Sequence, residues 1–154
     1  MSYLNTSIIV PAYCTEPLSD RVGELLGKIT DITISDLTEV EFYSALSRKV
    51  RQRELTLAGA QELASNFQAD LGAGIYRRVR VEAIHYQMAR DWIGRFDTVL
   101  RTLDALHLAI ASELQISVVT GDVGLANSGK MLGLDVELVL NDRTQVPSVG
   151  PIDG

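Results

Sequence analysis

Short apolar runs rich in β-branched residues alternate with stretches of helical periodicity along the whole chain, and this constrains the fold more than any single motif. The strand-like runs are Tyr3-Leu4, Ile32 to Ile34, Tyr76 to Val81, Ile116 to Val119 and Val136 to Leu140, the first two very short. Between them the spacing predicts helices over 8–13, 20–29, 38–52, 56–70, 82–93, 99–114 and 123–132. Pro11 falls near the start of the first, Thr56 is placed to cap the fourth, and Gly72, Gly74, Gly94 and Gly133 follow helix ends. Adjacent parallel strands need a crossover, usually a helix. Alternation of strands with single helices or helix pairs therefore predicts an α/β fold, with a mostly parallel central sheet flanked by helices on both faces. Residues 1–140 read as one domain, and 141–154 as a polar tail, with Pro147, Gly150 and Pro151, that is expected to be loose.

Composition narrows the function classes. With 46% hydrophobic residues, the 154-residue chain can bury one ordinary core. The formal net charge of −6 argues against tight, non-specific binding to duplex DNA, while leaving room for a locally basic groove. Cys14 is the single cysteine, so no intrachain disulfide forms, and it reads as a small buried apolar residue. No apolar run is long enough to span a membrane, and the first residues lack a basic segment followed by an apolar one. The expected location is cytoplasmic.

Open parallel sheets bind ligands at the carboxyl ends of their strands. Asn5 ends the first strand, Glu41 lies early in the helix after the second, and Asp122 follows the fourth. Asp104 sits near the start of the helix in VLRTLDALHLAIA. Each acid has a purely structural reading. Thr38 to Glu41 fits a capping box, Asp104 suits the positive end of a helix, and Asp122 can cap the helix from Val123. Together, three carboxylates at one end of one sheet repel each other unless a cation joins them. Oxygen donors without a Cys/His set point to Mg²⁺ or Mn²⁺, and such a site can activate water against a phosphodiester.

Four segments, YLNTSIIV, ISDLTEVEFYSALSRK, LRTLDALHLAIA and VVTGDVGLANSGKMLGLDV, occur in an order and on elements that resemble the PIN-domain nucleases, most closely the VapC-type toxins of toxin–antitoxin pairs. The resemblance implies a single PIN-like domain, an acidic pocket for Mg²⁺ or Mn²⁺, endonucleolytic RNA cleavage, inhibition by a cognate antitoxin protein, and a homodimer. Position by position it makes Glu41, Asp104 and Asp122 catalytic and metal-binding, with Glu39 as an alternative to Glu41 that the spacing disfavours. Thr6, Ser7 and Thr120 become supporting hydroxyls. Asn5 stands where the family has aspartate. An amide oxygen can still meet Mg²⁺ but brings no charge and cannot act as a base, so the resemblance implies a weakened or inactive nuclease. Two origins stay open: a natural member that binds RNA or an antitoxin-like protein without cutting, or one substitution introduced into a toxic enzyme, which the intact remaining acids favour. A doubly wound phosphate-signalling domain ranks below both, because the first acid it needs is absent and no glycine-rich phosphate loop is present.

Other polar and aromatic residues carry secondary expectations. His107, one turn from Asp104, reads as a packed or hydrogen-bonded side chain ahead of a base, and His85 as part of a surface helix. Arg48, Lys49, Arg51 and Arg53 form a basic helix end, a solvated face or a phosphate guide. Arg77, Arg78 and Arg80 punctuate a strand and are candidates for contact with RNA or an acidic partner segment. Tyr13, Phe42 and Tyr43 are candidates for stacking on bases, with core packing preferred for Phe42. The resemblance also implies an exposed helical groove, lined by Leu25, Leu26, Phe42 or Leu46, as the seat of an antitoxin helix or strand.

Overall fold

A computed structural model describes residues 1–141. The chain runs β1 (Ser2–Leu4), α1 (Thr6–Tyr13), α2 (Ser19–Leu26), β2 (Ile32–Ser35), α3 (Asp36–Arg51), α4 (Leu57–Gly72), β3 (Tyr76–Val79), α5 (Ala83–Ile93), α6 (Thr102–Leu114), β4 (Ser117–Thr120), α7 (Val123–Met131) and β5 (Val136–Leu138). The strands form one sheet in the order β3-β2-β1-β4-β5, every pairing parallel. β1 is central: Tyr3 is in register with Thr33 of β2 and Val118 of β4. The chain builds outward from β1 through β2 to β3, then returns to lay β4 and β5 on the other side. That reversal makes β1/β4 the topological switch point, where helices leave in opposite directions and open a crevice.

Strand side chains alternate between two cores, as a period of two requires. Leu4 and Val119 join Ile8, Ile9, Phe42 and Phe67 on the face covered by α1 to α4. Tyr3 and Val118 join Ala105, Leu108, Ile110 and Leu125 on the face covered by α5 to α7. The expected α/β architecture, with helices on both faces, is therefore the one observed.

Boundaries differ from the periodicity for local reasons. α1 begins at Thr6 because the Asn5 side chain accepts the Ser7 amide, so Pro11 lies inside the helix and not in its first turn. The capping box expected at Thr38–Glu41 is formed three residues earlier: Ser35 caps α3, and Thr38 returns its hydroxyl to the Ser35 amide, which frees Glu41 from any capping duty. β3 ends at Val79, where its partner β2 ends at Ser35, and the Val81 amide turns to the Asp36 carboxylate instead (3.0 Å). Among the described residues no helix is long and apolar enough to cross a membrane. Apart from Asn141, the polar tail lies outside the described residues.

Candidate functional site

A cleft of about 790 Å³ opens at the carboxyl ends of β1 and β4. Its lining includes Asn5, Thr6 and Ser7 from the start of α1, Glu41 from α3, Arg101 and Asp104 from the start of α6, and Gly121 and Asp122 between β4 and α7. The four residues that sequence patterns singled out thus share one cavity. Thr120, just behind it, is buried.

Asn5 is 6% exposed, and its side chain takes all its hydrogen bonds among the described residues through Oδ1. It accepts from the Ser7 amide (3.1 Å), the Ser7 hydroxyl (2.7 Å) and the Thr120 hydroxyl (3.3 Å). Ser7 Oγ also accepts the Gly121 amide (2.8 Å), and Thr120 Oγ1 the Asp122 amide (3.0 Å). These hydroxyls tie the ends of β1 and β4 together. An aspartate at position 5 could keep each of these bonds, since an oxygen does all the accepting.

Glu41 uses one oxygen for both of its donors. Oε1 accepts the Thr6 hydroxyl (2.8 Å) and His107 Nε2. Oε2 has no hydrogen-bond partner among the described residues. Burial pushes this carboxyl upward, but the His107 hydrogen bond and charge and the Thr6 hydroxyl outweigh it and hold it below its ordinary value. Asp104 meets Arg101 Nε (3.1 Å), and Asp122 Oδ2 lies 3.7 Å from the same guanidinium. The other Asp122 oxygen caps α7 through the Leu125 amide (3.0 Å), so its structural reading and its place in the cleft both hold. Arg101 is 77% exposed on its side chain, so these ion pairs are individually weak, yet one cation spans two acids of the cleft.

Glu39 lies elsewhere, paired with Arg78 (2.9 Å) and Gln68 (3.1 Å). Arg77, Arg78 and Arg80 are absent from the cleft lining: Arg77 reaches Met1, and Arg80 borders a separate cavity of about 230 Å³ with His85 and Glu113. Arg48 does line the cleft, while Lys49 is held by Glu16 (2.7 Å) and Glu54 (3.1 Å). His85 lies on a helix with exposed neighbours, as expected, but its own side chain is buried. It is 4% exposed, because its Nδ1 accepts the Glu82 amide (2.8 Å) and folds the ring under the start of α5. Phe42 and Leu46 are buried in the core with Phe67, so they do not line the exposed groove expected of them. Tyr13 packs edge-on against Phe42 and Phe67 and donates to Asp70, leaving Tyr43 as the exposed aromatic of the three. Cys14 is buried, as expected.

One contributor, Arg101, carries no motif of its own; its signal is the spacing of three to Asp104 at a helix start. His107 is packed and hydrogen-bonded, as expected, and its partners are Tyr3 and Glu41.

The PIN-domain profile matches residues 2–130. The chain belongs to the PIN-domain family. Solved structures with this PIN fold include VapC20 of Mycobacterium tuberculosis, described as a toxin that cleaves the sarcin–ricin loop: TM-score 0.67 at 16% identity, over 84% of this chain and 95% of that one. FitAcB from Neisseria gonorrhoeae gives 0.64 at 19%, over 88% and 96%. VapBC2 from Rickettsia felis, bound to a fragment of promoter DNA, gives 0.61 at 20%, over 90% and 98%. Identities this low establish a shared fold. No curated protein matches closely enough to count as a relative.

Among the described residues no three His, Cys, Asp or Glu side chains are grouped closely enough to cage a metal ion. The donors facing the cleft are nonetheless all oxygen, and a guanidinium already stands between two of them. The donor chemistry fits a hard divalent cation.

Proposed function

We propose that this PIN-domain chain is the toxin of a toxin–antitoxin pair, a Mg²⁺- or Mn²⁺-dependent endoribonuclease weakened by Asn5. The observation that carries the reading is the shared cleft: Glu41, Asp104 and Asp122, remote in sequence, line one cavity at the switch point of the sheet. The structural neighbours, a toxin that cleaves the sarcin–ricin loop, FitAcB and VapBC2, support it further. Glu41, Asp104 and Asp122 would hold the ion, with Asn5 beside them. The chemistry supplied there is activation of a water and neutralisation of phosphate charge. The chain's own groups do the rest. Thr6 orients Glu41, Ser7 and Thr120 fix Asn5, and Arg48 and Arg101 offer positive charge to a phosphodiester in the cleft. The same reading includes a cognate antitoxin as protein partner, RNA as substrate, a homodimer and a cytoplasmic location.

Asn5 and the Arg101 bridge favour a second reading, a non-catalytic PIN module that holds RNA or an antitoxin-like protein. Incubating the chain and its Asn5→Asp variant with pooled RNA, in Mg²⁺ or Mn²⁺ and in EDTA, separates the two. Cleavage by Asn5→Asp that chelation stops supports the nuclease. Intact RNA with both proteins across many sequences supports the binding module.

A further inference from the structure

The treatment of Glu41 is asymmetric, and its cause lies beneath the cleft. Oε1 is gripped from two sides, by Thr6 of α1 and by His107 of α6, while Oε2 receives no donor. The His107 ring is 0% exposed, and its Nδ1 lies 2.6 Å from the Tyr3 hydroxyl. That hydroxyl in turn lies 2.8 Å from Ser35 Oγ, at the cap of α3. A carboxylate only accepts, so Nε2 carries a hydrogen. With Nδ1 unprotonated, Tyr3 donates to the ring and Ser35 donates to Tyr3, and each link from Ser35 to Tyr3 to His107 to Glu41 is satisfied by one proton.

We propose that His107 is a positioning residue for Glu41: with Thr6 it pins Oε1, which leaves Oε2 as the oxygen offered to a cation in the cleft. This rests on the metal-dependent reading above. Nε2 carries its hydrogen whether the ring is neutral or charged, so the role is one of placement and not of proton transfer. Groups that orient metal ligands in this way commonly change metal affinity about 10- to 100-fold when removed. The buried relay supplies the stiffness, because the ring is anchored through β1 to the start of the same helix that carries Glu41.

The test compares His107→Gln with His107→Met in the full chain, with Asn5 in place and in the Asn5→Asp background. The two substitutes are similar in length, but only Gln keeps a donor. Mn²⁺ affinity is read from the electron paramagnetic resonance of free Mn²⁺, and thermal stability is followed alongside. The Met variant is expected to bind Mn²⁺ about tenfold more weakly, and the Gln variant like its parent, at similar Tm. Parent-like affinity in the Met variant, or equal losses in both that track Tm, overturns the placement role and leaves the metal reading standing. If neither background binds Mn²⁺ saturably, the metal reading fails and the proposal falls with it. Should the Met variant not fold, Tyr3→Phe replaces it: removing one oxygen behind the ring is expected to weaken Mn²⁺ binding about threefold, and parent-like binding overturns the proposal.

Discussion

At the scale of single residues, Asn5 answers to two demands that one atom satisfies only in part. Its Oδ1 holds the start of α1 and the Thr120 hydroxyl, work that an aspartate oxygen does equally well. The charge is what is missing. Asn5→Asp should therefore leave the metal-free fold intact while adding a fourth anion to the set of Glu41, Asp104 and Asp122. Its melting temperature without metal is expected to equal or fall slightly below that of the parent, and its rise on adding Mn²⁺ to exceed the parent's. At a Mn²⁺ concentration about 100 times Kd the linkage amounts to about 2.7 kcal/mol. Equal shifts in both proteins in a thermal melt would refute the charge deficit. Glu41 yields a second residue-scale expectation. Its carboxyl is held below the ordinary 4.5 in the folded state, so it contributes stability that is present above that value and lost as pH falls through the lowered one. Metal-free unfolding curves between neutral and acid pH should show that Glu41→Gln flattens the acid limb, and identical slopes would contradict the pairing with His107.

At the scale of elements, the helix starts were legible as positions but not as partnerships. Thr56 caps α4 and Asp122 caps α7, as their sequence neighbourhoods predict. Ser35, not Thr38, caps α3, because the β2 ladder ends at Ser35 and leaves that hydroxyl nearest the free amides. The cap at Asp122 is separable from its charge. Asn is as good an N-cap as Asp, whereas Ala is not, and the difference is typically about 1 kcal/mol. Asp122→Asn is thus expected to stay near parent stability while losing Mn²⁺ affinity, and Asp122→Ala to lose both. Chemical denaturation and Mn²⁺ titration of the pair decide the matter: if Asp122→Asn binds Mn²⁺ like the parent, Asp122 is a cap and nothing more. The hydrogen bond expected of His107 lacked a named partner for a related reason. A helical face shows that Asp104 and His107 are one turn apart, but not that α3 delivers Glu41 to the ring's far nitrogen.

At the scale of the whole molecule, alternation of strands and helices was enough to foretell a parallel sheet covered on both faces, because the crossover leaves little choice. Strand order was not legible. It depends on the return of the chain across β1, and that reversal is what gathers residues from α1, α3, α6 and α7 into one cleft. Charge shows the same division. The total of −6 is a sequence fact, but only the fold tells which cations are spent internally. Arg78, Lys49, Arg90 and Arg95 are each paired with an acid, and of these only Arg78 belongs to the arginine-rich strand. Arg48 and Arg101 line the cleft, where Arg101 is exposed and pairs with Asp104 and Asp122 until a phosphate competes for it. If these two carry the phosphate contacts, log K for single-stranded RNA should fall against log salt with a slope of about −1.4, since each neutralised phosphate contributes about −0.7. Arg48→Gln should bring the slope to about −0.7. Fluorescence anisotropy with labelled RNA from low to physiological salt measures it, using the chain with Asn5 in place so that cutting stays slow. A slope much steeper than this, insensitive to Arg48, would move the RNA path to another face, with Arg77 and Arg80 as the next residues to substitute.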